Sequence, residues 1–340
     1  MTRCLQLALL GLGNTAPNPM VGCVIVYNRK IIGEGYHQNF GGPHAEVNAI
    51  NSVKDKTLLP ESTLYVSLEP CNHFGKTPPC TDLIVSTGIK KVVVGCIDPF
   101  DKVSGSGIER LKTHNIEVIQ NVMEEECKQL NKRFFTFHQQ KRPYIILKWA
   151  QSADGFIAPV NQTENNRWIS NAYSQKLVHR WRSQEQAILV GANTAFKDNP
   201  KLNVRSWYGK NPLRILIDKD LKTPSTHYIF KDGESTLVFC NTKIKSNAPI
   251  YSVNINFAKD VIAQVTQELY KRNIQSVIVE GGSITLQHFI NANKWDEARV
   301  FVAQEKYLNE GIPSPDLKLK PQKKETIAND LLLTFINPNA

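Results

Sequence analysis

The sequence has no apolar run near the ~20 residues that a membrane-spanning helix needs, so no membrane partner is expected. No leader is expected either. MTRCLQLALLGLG carries one Arg and a short Leu/Ala run, but no small-x-small cleavage site follows, and the chain runs straight on into NTAPNPMVGCVIV. The reading we adopt is an amphipathic first helix with Leu5, Leu9 and Leu12 on one face. The seven cysteines are odd in number and scattered, which argues against a disulfide framework and for a reducing, cytoplasmic setting. No internal repeat is visible. There is no G-x-G-x-x-G, so the usual dinucleotide fingerprint is missing.

What the chain does have is length. At 340 residues it exceeds one ordinary domain, and two domains of about 150 residues each are expected. An apolar share of 41% and a charged share of 21% suit a globular protein. The net charge of +10 suits nucleic acid, but equally a phosphorylated small substrate or cofactor. Lys and Arg are spread along the chain; only KLKPQKK (318–324) forms a run, and it reads as solvated surface. Without a basic stripe or clustered aromatics, nucleic acid is not expected as the partner.

Both halves alternate apolar strand patterns with helical ones, the grammar of α/β layers. In the first half, strands are predicted at 21–27, 62–69, 90–96 and 116–120, with helices at 44–53, 81–87 and 105–114. A basic, Gln-rich stretch ending in Arg142–Pro143 marks a change of character, so the expected domains are 1–142 and 143–340. In the second, YIILKWA, AILVGA (187–192), LRILID (213–218), TLVFC (236–240), SVIVEGG (276–282) and EARVFVA (297–303) read as strands, with helices near 171–184, 258–273 and 284–292.

Three ligand-type residues stand out in the first half: His44 in GPHAEVNAI, and Cys71 and Cys80 in EPCNHFGKTPPC. One imidazole and two thiolates leave the fourth tetrahedral position of a zinc ion open, as catalytic rather than structural sites do. Glu46, two residues past the histidine, has the offset of a proton shuttle that does not ligate the metal; H-x-E followed by P-C is the zinc-deaminase signature. His44 and Cys71 are each expected near a helix start, where the dipole favours thiolate. The nine-residue thiol spacing is wider than in nucleoside and tRNA deaminases. In the second half, VEGGSITL (279–286) is strand, two glycines and a polar helix start, a weak phosphate-binding signal by itself.

PNPMVGCVIV, HAEVNAI, EPCNHFGKTPPC, and DPF followed by SGSGI occur in the order of the bifunctional deaminase/reductases of riboflavin biosynthesis, which this chain resembles over nearly its whole length. LKWAQSADGFIA, NRWIS, HRWR, AILVGANTAFKDNPKLNVR and VEGG continue that likeness. The resemblance implies a cytidine-deaminase-like α/β/α domain followed by a dihydrofolate-reductase-like α/β domain. It also implies zinc and NADPH as cofactors, and a homo-oligomer, dimer or tetramer. The implied substrate is 2,5-diamino-6-(5-phosphoribosylamino)pyrimidin-4(3H)-one. It is deaminated with Glu46 relaying the proton, and its ribosyl chain is then reduced to the ribityl form. By position, Asn18, His73, Lys76 and Asp98 would contact the deaminase substrate. Ala150, Trp168, Thr194, Asp198, Gly282, Ser283, Ile284 and Thr285 would face NADPH. Asn166, Arg182, Leu202, Arg205 and Glu280 would hold the phosphoribosyl chain, with Arg182 and Arg205 as phosphate forks and Lys148 orienting the substrate.

Four departures from the family pattern are visible: Asn72 where Ser is commoner, Phe100 where Asn is usual, SADG for S-L/V-D-G, and VAQEKYLNEGIPSP where a Pro-Lys and double glycine are typical. Two other readings remain open on the residues alone. One is a nucleoside or tRNA deaminase with an accessory domain, which the thiol spacing disfavours. The other is a non-catalytic zinc-stabilised module, which would have no use for Glu46.

Overall fold

The computed structural model describes residues 1–74, 78–100, 104–161, 163, 168–242 and 249–340, and the chain divides into two units, Met1–Lys141 and Arg142–Ala340. In the first unit, strands β1 (Gly22–Tyr27), β2 (Lys30–Tyr36), β3 (Thr63–Leu68), β4 (Lys91–Cys96) and β5 (Glu117–Ile119) form one sheet in the order β2-β1-β3-β4-β5. β2, β1 and β3 pair antiparallel, while β3, β4 and β5 are parallel. β4, KVVVGC, is apolar and buried throughout after Lys91 because helices cover both faces of a parallel sheet. Asn28 and Arg29, both at positive φ, close the two-residue β1–β2 hairpin, the backbone twist such a loop demands.

Among the described residues, six α-helices flank this sheet: α1 (Thr2–Leu9), α2 (Ala45–Ser52), α3 (Cys80–Ser86), α4 (Ser106–Thr113), α5 (Glu124–Leu130) and α6 (Lys132–Gln140). Leu64, Val66, Val92 and Val94 of the sheet pack with Ala49, Ile50, Ile84 and Leu111 of the helices as its core. The face expected for α1 is corrected. Cys4, Leu7 and Ala8 are buried, Leu9 is 52% exposed, and Leu12 lies beyond the helix end. The reason is close backbone packing: a Cβ on Gly22 would lie 2.0 Å from the Cys4 carbonyl oxygen, so α1 rests its backbone on β1 at the Cys4 face.

In the second unit, nine strands form one sheet: β6 (Tyr144–Ser152), β8 (Ala187–Gly191), β9 (Leu213–Ile217), β10 (Thr236–Cys240), β11 (Ile250–Asn254), β12 (Ser276–Val279), β13 (Glu297–Ala303), β15 (Lys323–Ile327) and β16 (Asp330–Ile336). Their order is β11-β10-β9-β8-β12-β6-β13-β16-β15, parallel from β11 to β13 and antiparallel beyond. A separate two-stranded sheet pairs β7 (Phe156–Pro159) with β14 (Gly311–Pro313). Helices α7 (Ala172–Gln184), α8 (Ala192–Asp198), α9 (Tyr228–Lys231), α10 (Val261–Lys271) and α11 (Ser283–Asn291) complete the unit. Because β12 inserts between β8 and β6, strand order reverses there, and the carboxyl ends of these three strands open a crevice of the kind that takes ligands in α/β folds. Among the described residues, no helix is long and apolar enough to cross a membrane.

Candidate active sites

The first site is assembled by two helix starts and one loop. His44 is the residue before α2, Cys80 is the first residue of α3, and Cys71 lies in the loop three residues past β3. The two ligand-type residues at helix starts are thus His44 and Cys80, not His44 and Cys71, because the chain leaves β3 through Pro70 without turning into a helix. The three ligand atoms lie within 4.8 Å of one another. His44 Nδ1 is 3.2 Å from Cys80 Sγ and 3.5 Å from Cys71 Sγ, and the Cys80 backbone N–H donates to Cys71 Sγ at 3.4 Å. Zn–N near 2.0 Å and Zn–S near 2.3 Å put tetrahedral ligands roughly 3.5 Å apart, so this donor set fits zinc. The two sulfurs compete for one proton. The hydrogen bond from Cys80 draws the Cys71 thiol well below its usual range, while the same bond and burial push Cys80 up.

Glu46 sits in the first turn of α2 and is fully buried; burial, then the Cys71 sulfur, raise its carboxyl to about 7. That is the range in which a carboxyl both takes and returns protons at neutral pH. Asn18 follows the cis Ala16–Pro17 peptide, and its Nδ2 meets His37 Nε2 at 3.1 Å. His37 Nδ1 lies 3.0 Å from the Pro43 carbonyl, which only accepts; Nδ1 therefore carries the hydrogen, and Nε2 accepts from Asn18. The Asn18 amide is thereby held with its oxygen away from His37. His37, buried with its ring centroid 5.5 Å from that of His44, was not singled out from the sequence. Its position one residue past β2 is visible only once that strand is placed.

A second unanticipated residue is Glu69. Buried, it accepts the backbone N–H groups of Asp98 (3.3 Å), Gly105 (2.9 Å), Gly107 (2.9 Å) and Ile108 (3.3 Å), tying the Cys71 loop to the start of α4. Asp98 is itself buried, its carboxyl raised to about 7 by burial. Asn72 bridges α3 and α4: it accepts from Thr81 Oγ1 (3.1 Å) and donates to the Ser106 carbonyl (3.3 Å). Phe100 turns into a small cluster with Leu68, Cys96 and Phe134, so this departure serves packing. His73 is exposed, and Lys76 lies outside the described residues.

The second site is a cavity of about 490 Å³ at the strand-order reversal. It gathers Ala150, Trp168, Thr194, Asp198, Gly282, Ser283, Ile284 and Thr285, every residue expected to face the cofactor, together with Lys148 and Glu280. Trp168 is 52% exposed, a cavity-wall residue rather than core. Glycines make the cradle: a Cβ on Gly191 would lie 2.3 Å from Thr285 Oγ1, and one on Gly282 would lie 3.1 Å from Thr194 Oγ1. α11 starts at Gly282 with no side-chain cap, leaving its first N–H groups for an anionic ligand. This cradle fits the phosphates of a nicotinamide cofactor.

Beside it lies a buried ion cluster. Arg182 pairs with both Glu280 oxygens at 2.9 Å, and Lys148 Nζ is 3.5 Å from the same carboxylate. Burial alone would raise Glu280, but Arg182 and then Lys148 hold it at about 2. Burial lowers Lys148, with Glu280 opposing that and Arg182 adding to it. The Arg182 fork therefore grips a carboxylate, with its Nη1 also on the Asn203 carbonyl at 3.2 Å. Leu202 is buried at φ +54°, and Arg205 is exposed, its N–H held by His179 Nδ1 at 3.4 Å; neither these two nor Arg182 lines the cavity. Asn166 lies outside the described residues.

Comparison with known proteins places both units in known families. Residues 1–96 match the cytidine and deoxycytidylate deaminase zinc-binding region, and residues 143–333 match the RibD C-terminal domain. The riboflavin biosynthesis protein RibD of Aquifex aeolicus is 40% identical, covering 98% of this chain and 97% of that protein. That of Escherichia coli is 35% identical over 89% and 86%. Among solved structures, a diaminohydroxyphosphoribosylaminopyrimidine deaminase/5-amino-6-(5-phosphoribosylamino)uracil reductase from Thermotoga maritima superposes with a TM-score of 0.88 at 37% identity, covering 98% of this chain and 96% of that one. Acinetobacter baumannii RibD gives 0.89 at 31%, covering 98% and 97%. With a zinc-type donor set in one unit and a nicotinamide-type cradle in the other, the chain belongs to the RibD family, the bifunctional deaminase/reductases of riboflavin biosynthesis.

Proposed function

We propose that the first unit hydrolytically deaminates 2,5-diamino-6-(5-phosphoribosylamino)pyrimidin-4(3H)-one. The second then reduces the ribosyl chain with NADPH, giving 5-amino-6-(5-phosphoribitylamino)uracil. The observation that carries this reading is the buried Glu46 carboxyl beside a His–Cys–Cys donor set that leaves one tetrahedral position open.

Zinc, when bound by His44, Cys71 and Cys80, supplies a Lewis acid that brings a water within reach of ionisation near pH 7. Glu46 would take one proton from the attacking water as its oxygen bonds to the amine-bearing ring carbon, and relay it by way of the ring nitrogen to the amine as the C–N bond breaks and ammonia leaves. Glu46 would then pass the remaining hydroxyl proton to the ring nitrogen, leaving the keto ring. Asn18, turned by His37, offers its amide oxygen to a ring N–H of the pyrimidine. Asp98 lines the substrate's approach, while His73 and Lys76 take the phosphoribosyl group, Lys76 as a point charge.

The nicotinamide, when bound, supplies the hydride. Ala150, Trp168, Thr194, Asp198 and the Gly282–Thr285 turn hold the cofactor, with the uncapped N–H groups of α11 on its phosphates. Glu280, fixed by Arg182, and Lys148 orient the ribosyl chain, and its phosphate is assigned to Asn166, Leu202 and Arg205 by the family resemblance alone.

The test is to supply the purified, zinc-loaded chain with the diamino ribotide, follow ammonia, then add NADPH and follow its oxidation. Ammonia release followed by one NADPH per ammonia supports the reading. Release of ammonia with no subsequent oxidation, or no release at all, overturns one or both halves of it.

A further inference from the structure

The cofactor cavity has two kinds of wall. One is the sheet ends and the starts of α8 and α11. The other is Ile157, Ala158, Trp168 and Ile312, none of which belongs to the nine-stranded sheet. This second wall needs its own support, and one carboxylate contributes to it. Asp154 accepts from Ser152 Oγ (2.5 Å), from the Leu308 N–H (3.2 Å) and from the Asn309 N–H (2.7 Å). Next to it, the Ala153 N–H donates to the Lys306 carbonyl at 2.8 Å, and Lys306 Nζ donates to the Trp168 carbonyl at 2.5 Å.

From there the chain continues as a strap. Ile312 pairs with Ala158 in the β7–β14 sheet, the Ser314 N–H reaches the Gly155 carbonyl (2.9 Å), and the Asp316 N–H reaches Gln287 Oε1 on α11 (3.1 Å). Residues 304–316 thus run from the end of β13 to the helix that begins the glycine cradle. It overlaps the VAQEKYLNEGIPSP segment (302–315), whose sequence departs from the family pattern. Asp154 is exposed, and of its partners only the Ser152 hydroxyl belongs to a buried residue; the other two are backbone groups of the strap. These contacts tie a surface strap to a cavity wall.

We propose that Asp154 is a positioning residue for the reductase cofactor, and that it acts by fixing the 304–316 strap so that Trp168 and Ile312 stand ready as one wall of the nicotinamide cavity. Without it the strap would be ordered only by the incoming cofactor, and affinity would fall by that ordering cost. The proposal rests on the reading that this cavity takes NADPH.

The experiment uses the full chain and titrates NADPH against tryptophan fluorescence, alongside steady-state reduction and ammonia release. The wild type must bind NADPH; if it does not, the cofactor reading itself fails and the proposal with it. With that established, Asp154→Ala is expected to weaken NADPH binding about tenfold and to raise KM for NADPH more than it lowers kcat. Ammonia release should be unchanged. Asp154→Asn keeps an acceptor oxygen and should recover part of the loss. Lys306→Met should weaken NADPH binding in the wild-type background but add little in Asp154→Ala, because both act through the same wall. An Asp154→Ala protein that binds NADPH as tightly as the wild type overturns the proposal. So does one in which kcat falls and KM for NADPH stays fixed, or one in which the Asp154 and Lys306 losses simply add.

Discussion

At the scale of single residues, the deaminase unit makes its sharpest claim at Glu46. Glu46→Gln keeps size and burial but cannot carry a proton between water and amine, so zinc content should hold while ammonia release falls by roughly 10² or more. Metal analysis beside an ammonia assay checks both; retained deamination would remove Glu46 from the chemistry. In the reductase unit the corresponding residue is Glu280. Its folded-state pKa of about 2 lies below the ~4.3 of an unfolded glutamate. The stability it contributes is therefore complete above that unfolded value and is lost as pH falls towards 2. Glu280→Gln should flatten this acid limb. At neutral pH it should cost roughly 3–5 kcal/mol, because Arg182 and Lys148 stay buried against a neutral amide. Urea unfolding followed by tryptophan fluorescence at several pH values reads both effects. How far single residues were legible depended on whether their role was local. His44, Cys71, Cys80 and Glu46 announce themselves through spacing. His37 and Glu69 do not, since each works through backbone groups or an amide that only the fold brings near.

At the scale of elements, strands with strong apolar runs, such as β4, β8 and β12, are among those that sequence patterns predicted. β2 escaped because KIIGEGY mixes charges with glycines. One of those glycines is needed where it is: a Cβ on Gly35 would lie 2.3 Å from the Ala49 amide, so β2 is carved to seat α2. β14 and β7 escaped because they are short and pair only with each other. The Cys71 loop is held in the same non-obvious way, by the Glu69 carboxylate on four backbone N–H groups. Glu69→Ala strands those donors in a buried place and should destabilise the first unit by roughly 2–4 kcal/mol. Zinc should be held more weakly as a consequence, because Pro70 and Cys71 follow directly in the chain. The check is zinc retention against a competing chelator, with NADPH binding as the control that should not move.

At the scale of the whole molecule, each unit carries its own apolar core, its own sheet and its own site. The five tryptophans, at 149, 168, 181, 207 and 295, all lie in the second unit, so tryptophan fluorescence reports that unit alone. This permits a clean separation. A chelator strong enough to remove zinc should abolish ammonia release, since the metal held by His44, Cys71 and Cys80 would supply the Lewis acid. NADPH oxidation on already deaminated substrate should persist at the same KM, and the tryptophan-detected unfolding curve should not shift. Restoring zinc should restore ammonia release without altering the second unit. If the tryptophan curve moves on chelation, zinc stabilises both units through energetic coupling, and the assignment of one metal to one chemistry has to be replaced by a shared folding role. If it stays put while ammonia release vanishes and returns, the deaminase chemistry depends on the His–Cys–Cys centre and the reductase chemistry does not.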